Sequence, residues 1–225
     1  MELDRRTSVA FGVCLIAAII CGIFSSVPTI EEADYLEKLH SIETNILVAI
    51  FFQAGMAIFY IFIAVLTYPI VKRDSPVGGI AYLAFRITGA AFLFVGIVFL
   101  LLILHLGREL SQAGAENVAL YQLIGDFLRK ARDGLNHIGM ILPWSIGGIF
   151  LYKAFLRAGS LPRWIAIGSL SSVSLTLIAT LLYMLDQIQI VSVSYMALNI
   201  PTAFFEIILA VYMIVRGGRA TPSRA

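Results

Sequence analysis

Six stretches of this chain, residues 9–27, 46–71, 79–106, 138–156, 164–185 and 195–215, are apolar at nearly every position. A helix needs about 20 residues to cross roughly 30 Å of hydrocarbon, and every one of these runs is long enough. The second and third exceed the minimum, so they are expected to tilt or to extend beyond the bilayer. None shows the in-out alternation of barrel strands, which repeats over about 10 residues. The pattern therefore predicts an all-α, polytopic membrane protein, with residues 1–225 forming a single domain of six transmembrane helices in one bundle.

The connections differ in length, and length decides what each can hold. Between the second and third runs lies Asp74-Ser75-Pro76-Val77-Gly78-Gly79, and between the fourth and fifth Gly159-Ser160-Leu161-Pro162. Such turn chemistry makes antiparallel hairpins of the flanking spans. Residues 28–45 carry Tyr35, Leu36 and Leu39 among acids, the spacing of a short surface helix. Residues 107–137 place Val118, Tyr121, Ile124 and Leu128 on one stripe, followed by Arg129, Lys130 and Arg132. This predicts a short amphipathic outer helix, lying in the interface or running directly into the fourth span. Two sets of three spans have opposite topology, as in inverted-repeat transporters, although the halves share no sequence similarity.

Composition strengthens the membrane reading. Hydrophobic residues make up 60% and charged residues 13% of the chain, with a mean hydropathy of +0.91, whereas soluble domains have about 45–50% and 25%. The net charge of +2 conceals an asymmetry. With the amino terminus inside, Arg5, Arg6, Lys72, Arg73, Lys153, Arg157, Arg163, Arg216, Arg219 and Arg224 fall inside. Lys38, Arg108, Arg129, Lys130 and Arg132 fall outside. Cytoplasmic loops carry the excess of Lys and Arg, so both termini are predicted to be cytoplasmic in a multi-pass protein of the cell membrane, surrounded by membrane lipids.

Arg5 and Arg6 ahead of an apolar stretch resemble a secretory signal, but the run is too long and Phe24 is a poor residue before a cut after Ser26. Ile20 before Cys21 likewise argues against a lipoprotein signal. Cys14 and Cys21 share the first span and read as packing residues rather than a disulfide. No basic patch suggests a nucleic-acid partner.

Candidate chemistry concentrates on two ionisable residues inside the runs, Arg86 and Glu206. A charge at the bilayer centre costs roughly 2.5–3.5 kcal/mol on insertion scales, so such residues pair, face a cavity, or serve a function. At about 1.5 Å per residue, Arg86 lies roughly 10 Å and Glu206 roughly 15 Å from the inner boundary, within reach of one another. Each sits on a small or polar stripe: Tyr82, Arg86, Gly89, Leu93 and Gly96 in the third span, and Asn199, Thr202, Glu206, Ala210 and Met213 in the sixth. Gln53 and Tyr60 stand on a similar stripe in the second. Arg86 and Glu206 are thus either an ion pair joining spans three and six, or a polar site for a small molecule, lipid or ion, supported by Gln53, Tyr60, Asn199 and Thr202. Gly168, Ser172, Thr176 and Thr180 give the fifth span a small-residue surface suited to close helix packing.

Near the outer face stand His105, His137 and Asp186, the residue types of a metal or proton-handling site. They lack any local ligand spacing, so neither metal nor cofactor is expected. Pro143 and Pro201 are expected to bend the fourth and sixth spans. No nucleophile elbow or phosphate loop is present, which favours a non-enzymatic protein over an intramembrane enzyme built around His137 and Asp186.

Three motifs carry a family likeness: Arg157-Ala158-Gly159-Ser160-Leu161-Pro162-Arg163-Trp164, Ile200-Pro201-Thr202-Ala203-Phe204-Phe205-Glu206 with the ending Ile214-Val215-Arg216-Gly217, and Phe85-Arg86. Over most of its length the chain resembles the bacterial membrane-protein family called domain of unknown function 4386. The resemblance implies an integral membrane protein of bacteria or archaea and carries no established activity, so it assigns no catalytic residue. The function expected is binding or transport of a small molecule, lipid or ion at Arg86 and Glu206. The alternatives are a structural or regulatory membrane component with an architectural pair, and an intramembrane enzyme.

Overall fold

A computed structural model describes residues 3–32, 34–111 and 117–217. Arg219, Arg224 and Glu116 therefore lie outside the described residues. The described residues form helices joined by short turns, with no strand among them, and six helices are long and apolar enough to cross a membrane.

Helix α1 (Arg5–Phe24) begins where the Asp4 carboxylate accepts from the backbone N–H and the hydroxyl of Thr7, at 2.8 and 2.9 Å. It stops three residues short of the apolar run: the Ser25 hydroxyl donates to the Gly22 carbonyl and Pro28 opens a 3-10 turn. A one-turn helix α2 (Tyr35–Lys38) follows, much shorter than residues 28–45 allowed. Its apolar residues are not on the surface. Tyr35, Leu36 and Leu39 are buried with Ile30, Leu100 and Ile103 in a small core of their own.

Helices α3 (Glu43–Asp74) and α4 (Pro76–Leu110) form a long hairpin. Ser75 makes the corner, its hydroxyl capping the N–H of Gly78 at 3.0 Å while Pro76 takes the first helical position. Helix α5 (Val118–Gly134) continues through a π-helical turn (Leu135–Met140) into α6 (Ile141–Ala158). At about 1.5 Å per residue, the 41 residues from Val118 to Ala158 extend about 60 Å, twice the hydrocarbon thickness. Pro143 has no N–H for the Gly139 carbonyl, and the turn holding Gly139 is the one that widens. Helices α7 (Arg163–Met184) and α8 (Val193–Arg216) complete the bundle.

The stripe of α5 formed by Val118, Tyr121, Ile124 and Leu128 lies along the edge of the buried face: Val118, Tyr121 and Leu128 are half-buried, Leu128 against the core around Tyr35, and Ile124 is exposed. Leu120, Leu123, Ile124 and Phe127 are exposed, whereas Gly125, Arg132 and Asp133 are buried. Charge pairing sets which face turns inward: Arg132 meets Glu31 and Asp133, each at 3.3 Å, and the Arg129 guanidinium stacks 5.2 Å from the Tyr35 ring centroid. The outward face is then free to meet lipid, as an interfacial helix does.

Six helices pack in a closed ring, α1 to α3 to α4 to α6 to α7 to α8 and back to α1, with α3 touching α6 across the middle. Closure needs glycine. A methyl on Gly12 of α1 would stand 2.7 Å from the Ala210 carbonyl oxygen of α8, so only Gly admits that approach. Arg73, Arg157 and Arg216 mark one end of the ring, here the basic end; α2 and α5 mark the far end.

Candidate functional site: a polar interior between α4, α6 and α8

Arg86 stands ten residues into α4 and Glu206 ten residues before the end of α8, which puts each about 15 Å from the basic end. Both turn inward, at 2% and 8% exposure. Their stripes do the same: Tyr82, Gly89, Leu93 and Gly96 are buried on α4, as are Thr202, Ala210 and Met213 on α8.

The two charges do not touch. No carboxylate among the described residues lies within 4.0 Å of the Arg86 guanidinium. Arg86 and Glu206 still influence one another electrostatically, and the hydroxyls of Tyr60 and Tyr152 feel both. The ring explains the separation: α4 and α8 are not neighbours in it, and α6 and α7 stand between them.

Helix α6 shapes the space that Arg86 enters. The guanidinium lies 4.7 Å from the ring centroid of Trp144 and 5.6 Å from that of Tyr82, so aromatic faces take the place of a direct counter-ion. Its stem crosses Gly147 and Gly148, one turn beyond Trp144. A methyl on Gly147 would stand 3.1 Å from Arg86 Cγ and 3.2 Å from Nε, and one on Gly148 3.5 Å from a terminal nitrogen. A bare backbone on that face is what lets a long cation lie there.

Several polar atoms of α4, α6 and α7 have no hydrogen-bond partner among the described residues. They are Arg86 Nε, Trp144 Nε1 and the hydroxyls of Ser145 and Ser169, all buried. Tyr82 is satisfied, its hydroxyl 2.6 Å from that of Thr67. Leaving a buried polar group unsatisfied costs about 1–3 kcal/mol. The unpartnered Nε of Arg86, against the Trp144 ring, is suited to water or to a small solute with an anionic group.

The four supporting residues divide. Tyr60 borders the interior, its ring 6.1 Å from Trp144. Thr202 lies one turn from Glu206 and bonds Thr176 of α7 at 2.7 Å. Gln53 and Asn199 are engaged elsewhere. Gln53 donates to the Leu93 carbonyl (2.9 Å) and to Asn136 (3.3 Å), joining α3, α4 and the π-helical turn. Asn199 donates within its own helix to the Tyr195 carbonyl at 2.8 Å, just before Pro201, which α8 contains without interruption.

The far-end residues do not converge. His105 is exposed, 3.8 Å from Glu109 on the next turn of α4. Asp186 is exposed in a left-handed turn at φ 55° and accepts from Gln189. His137 is packed between Tyr183 and Tyr195, with its Nδ1 2.7 Å from the Tyr195 hydroxyl. Among the described residues no three His, Cys, Asp or Glu side chains gather as a metal site.

Trp144 and Tyr152 join the interior without having been singled out in the sequence. Trp144, Gly147, Gly148, Leu151 and Tyr152 follow helical spacing after Pro143, and that face was the available signal.

No curated protein and no solved structure matches the chain. The family model described as "Domain of unknown function (DUF4386)" matches residues 10–217. That match spans nearly the whole bundle, including Arg86, the interior face of α6 and Glu206, and the chain belongs to this family.

Proposed function

We propose that this membrane protein binds, and by alternating exposure transports, a small polar solute in the interior bounded by Arg86, Trp144 and Glu206. The observation that carries the reading is the buried Arg86 guanidinium: no carboxylate touches it and its Nε is unpartnered. A solute anionic group placed on Arg86 would satisfy it, while Glu206 would receive a donor or cationic end. The π-helical turn and Pro143 supply an irregular helix beside the site, as transport proteins commonly do. The charge asymmetry supports a cell-membrane orientation with both termini cytoplasmic, and the family resemblance supports a bacterial or archaeal source.

An architectural role is the second reading, favoured by the stacking of Arg86 on Trp144 and Tyr82, which holds the cation without a solute. Thermal unfolding of the detergent-solubilised protein separates the two. Amino acids, monocarboxylates and inorganic phosphate serve as the probes. Binding predicts that at least one probe raises the Tm of the wild type but not that of Arg86→Gln or Glu206→Gln. The architectural reading predicts no probe effect and a double variant more stable than either single one.

A further inference from the structure

A second site, independent of the interior, lies on the outside of the bundle at its basic end. Between the start of α1 and the end of α3 is a cleft of about 350 Å³, at the lower end of the size range of small-molecule sites. Its wall is apolar, built from Leu3, Val65, Leu66, Pro69 and Ile70. Val65 is 55% exposed, so the wall opens sideways to where lipid chains would run. Two opposite charges line the same cleft, Arg73 and Asp4, and they do not pair.

The neighbouring charges are otherwise employed. Arg157 pairs with Asp74 at 3.1 Å, and the Lys72 ammonium lies 5.6 Å from the Tyr68 ring centroid. Arg73 alone of this group has no carboxylate or ring partner among the described residues. Asp4 accepts twice from Thr7, which leaves carboxylate lone pairs for a further donor. Pro69 has no N–H to give the Val65 carbonyl, so a backbone acceptor is also left at the wall.

We propose that this cleft is a phospholipid site selective for an amine-bearing, phosphoethanolamine-type headgroup. Arg73 binds the phosphate, Asp4 receives the primary ammonium, and one acyl chain lies along Val65, Leu66 and Pro69. Charge complementarity selects the occupant. A phosphoglycerol headgroup would satisfy Arg73 and leave Asp4 facing an anion, and a phosphocholine headgroup offers no N–H to donate.

Native mass spectrometry of the delipidated full chain, titrated with phosphatidylethanolamine, phosphatidylglycerol or phosphatidylcholine, tests the proposal. The wild type should retain phosphatidylethanolamine several-fold over the other two. Arg73→Gln should reduce retention about tenfold, the loss of one charge-assisted contact. Asp4→Asn keeps the cap on α1, because Asn serves as well as Asp there. That variant should still bind lipid but lose the preference. Unchanged retention by Arg73→Gln, or a wild type that holds phosphatidylglycerol equally or better, would overturn the assignment.

Discussion

Glycine at a few positions decides what the polar residues of this protein can do. Arg86 crosses α6 where Gly147 and Gly148 leave the backbone bare, so its guanidinium reaches the face of Trp144 rather than the headgroups. Gly147→Val should displace that side chain and cost about 1–3 kcal/mol as overpacking, seen as a lower Tm in detergent. Gly168 of α7 is more tightly covered, since an added methyl would stand 2.0 Å from the Phe205 ring. Gly168→Ala should therefore destabilise by a similar or larger amount, about 1–3 kcal/mol. Phe205→Ala on the same background should recover part of it, whereas additive losses would show that the two residues do not meet. Of these contacts only the small-residue surface on α7 is legible in the sequence, because which ring fills a gap depends on the neighbouring helix.

Helix α5 is where pattern and packing part. Its apolar stripe is plain in the sequence, but Arg129 and Arg132 are drawn inward by Tyr35, Glu31 and Asp133, which leaves Val118, Tyr121 and Leu128 half-buried and exposes Leu120, Leu123 and Phe127. Spacing within α5 cannot reveal this, since Glu31 and Tyr35 lie about a hundred residues earlier in the chain. Tyr35 reports the packing. Burial pushes its phenol up to about 12, with the Asp126 charge adding to the effect. The neutral phenol is favoured in the folded state, so its stabilising contribution is complete below the ordinary value of about 10 and is lost as pH rises from there toward 12. Comparing the ultraviolet titrations of the wild type and Tyr35→Phe should show one tyrosinate, forming near 12, lost in the variant. A leucine at Gly125, where even a methyl would stand 2.5 Å from the Tyr35 hydroxyl, should push α2 and α5 apart and return that titration toward about 10.

At the scale of the molecule, six helices in a ring bring the start and end of the described chain to one side, where the Arg5 side chain approaches Gly217. The excess of Lys and Arg predicts that this side is cytoplasmic. Ser111→Cys at the far end should react with a membrane-impermeant maleimide in intact cells, and Arg157→Cys only after permeabilisation. The reverse pattern would invert the orientation. The sequence by itself determined the helices, because every backbone polar group in hydrocarbon must be satisfied within its own segment, and a long apolar run has no other way to do that. It also determined which faces turn inward, because a charge at that depth cannot meet lipid: Arg86 and Glu206 are buried along with their stripes. Only the tertiary structure decided what those faces meet. Equal depth made a direct Arg86–Glu206 bridge look available, but depth fixes one coordinate, and the order of helices around the ring fixes the others. With α6 and α7 set between α4 and α8, the arginine lies on Trp144 and the glutamate stays apart from it across the interior.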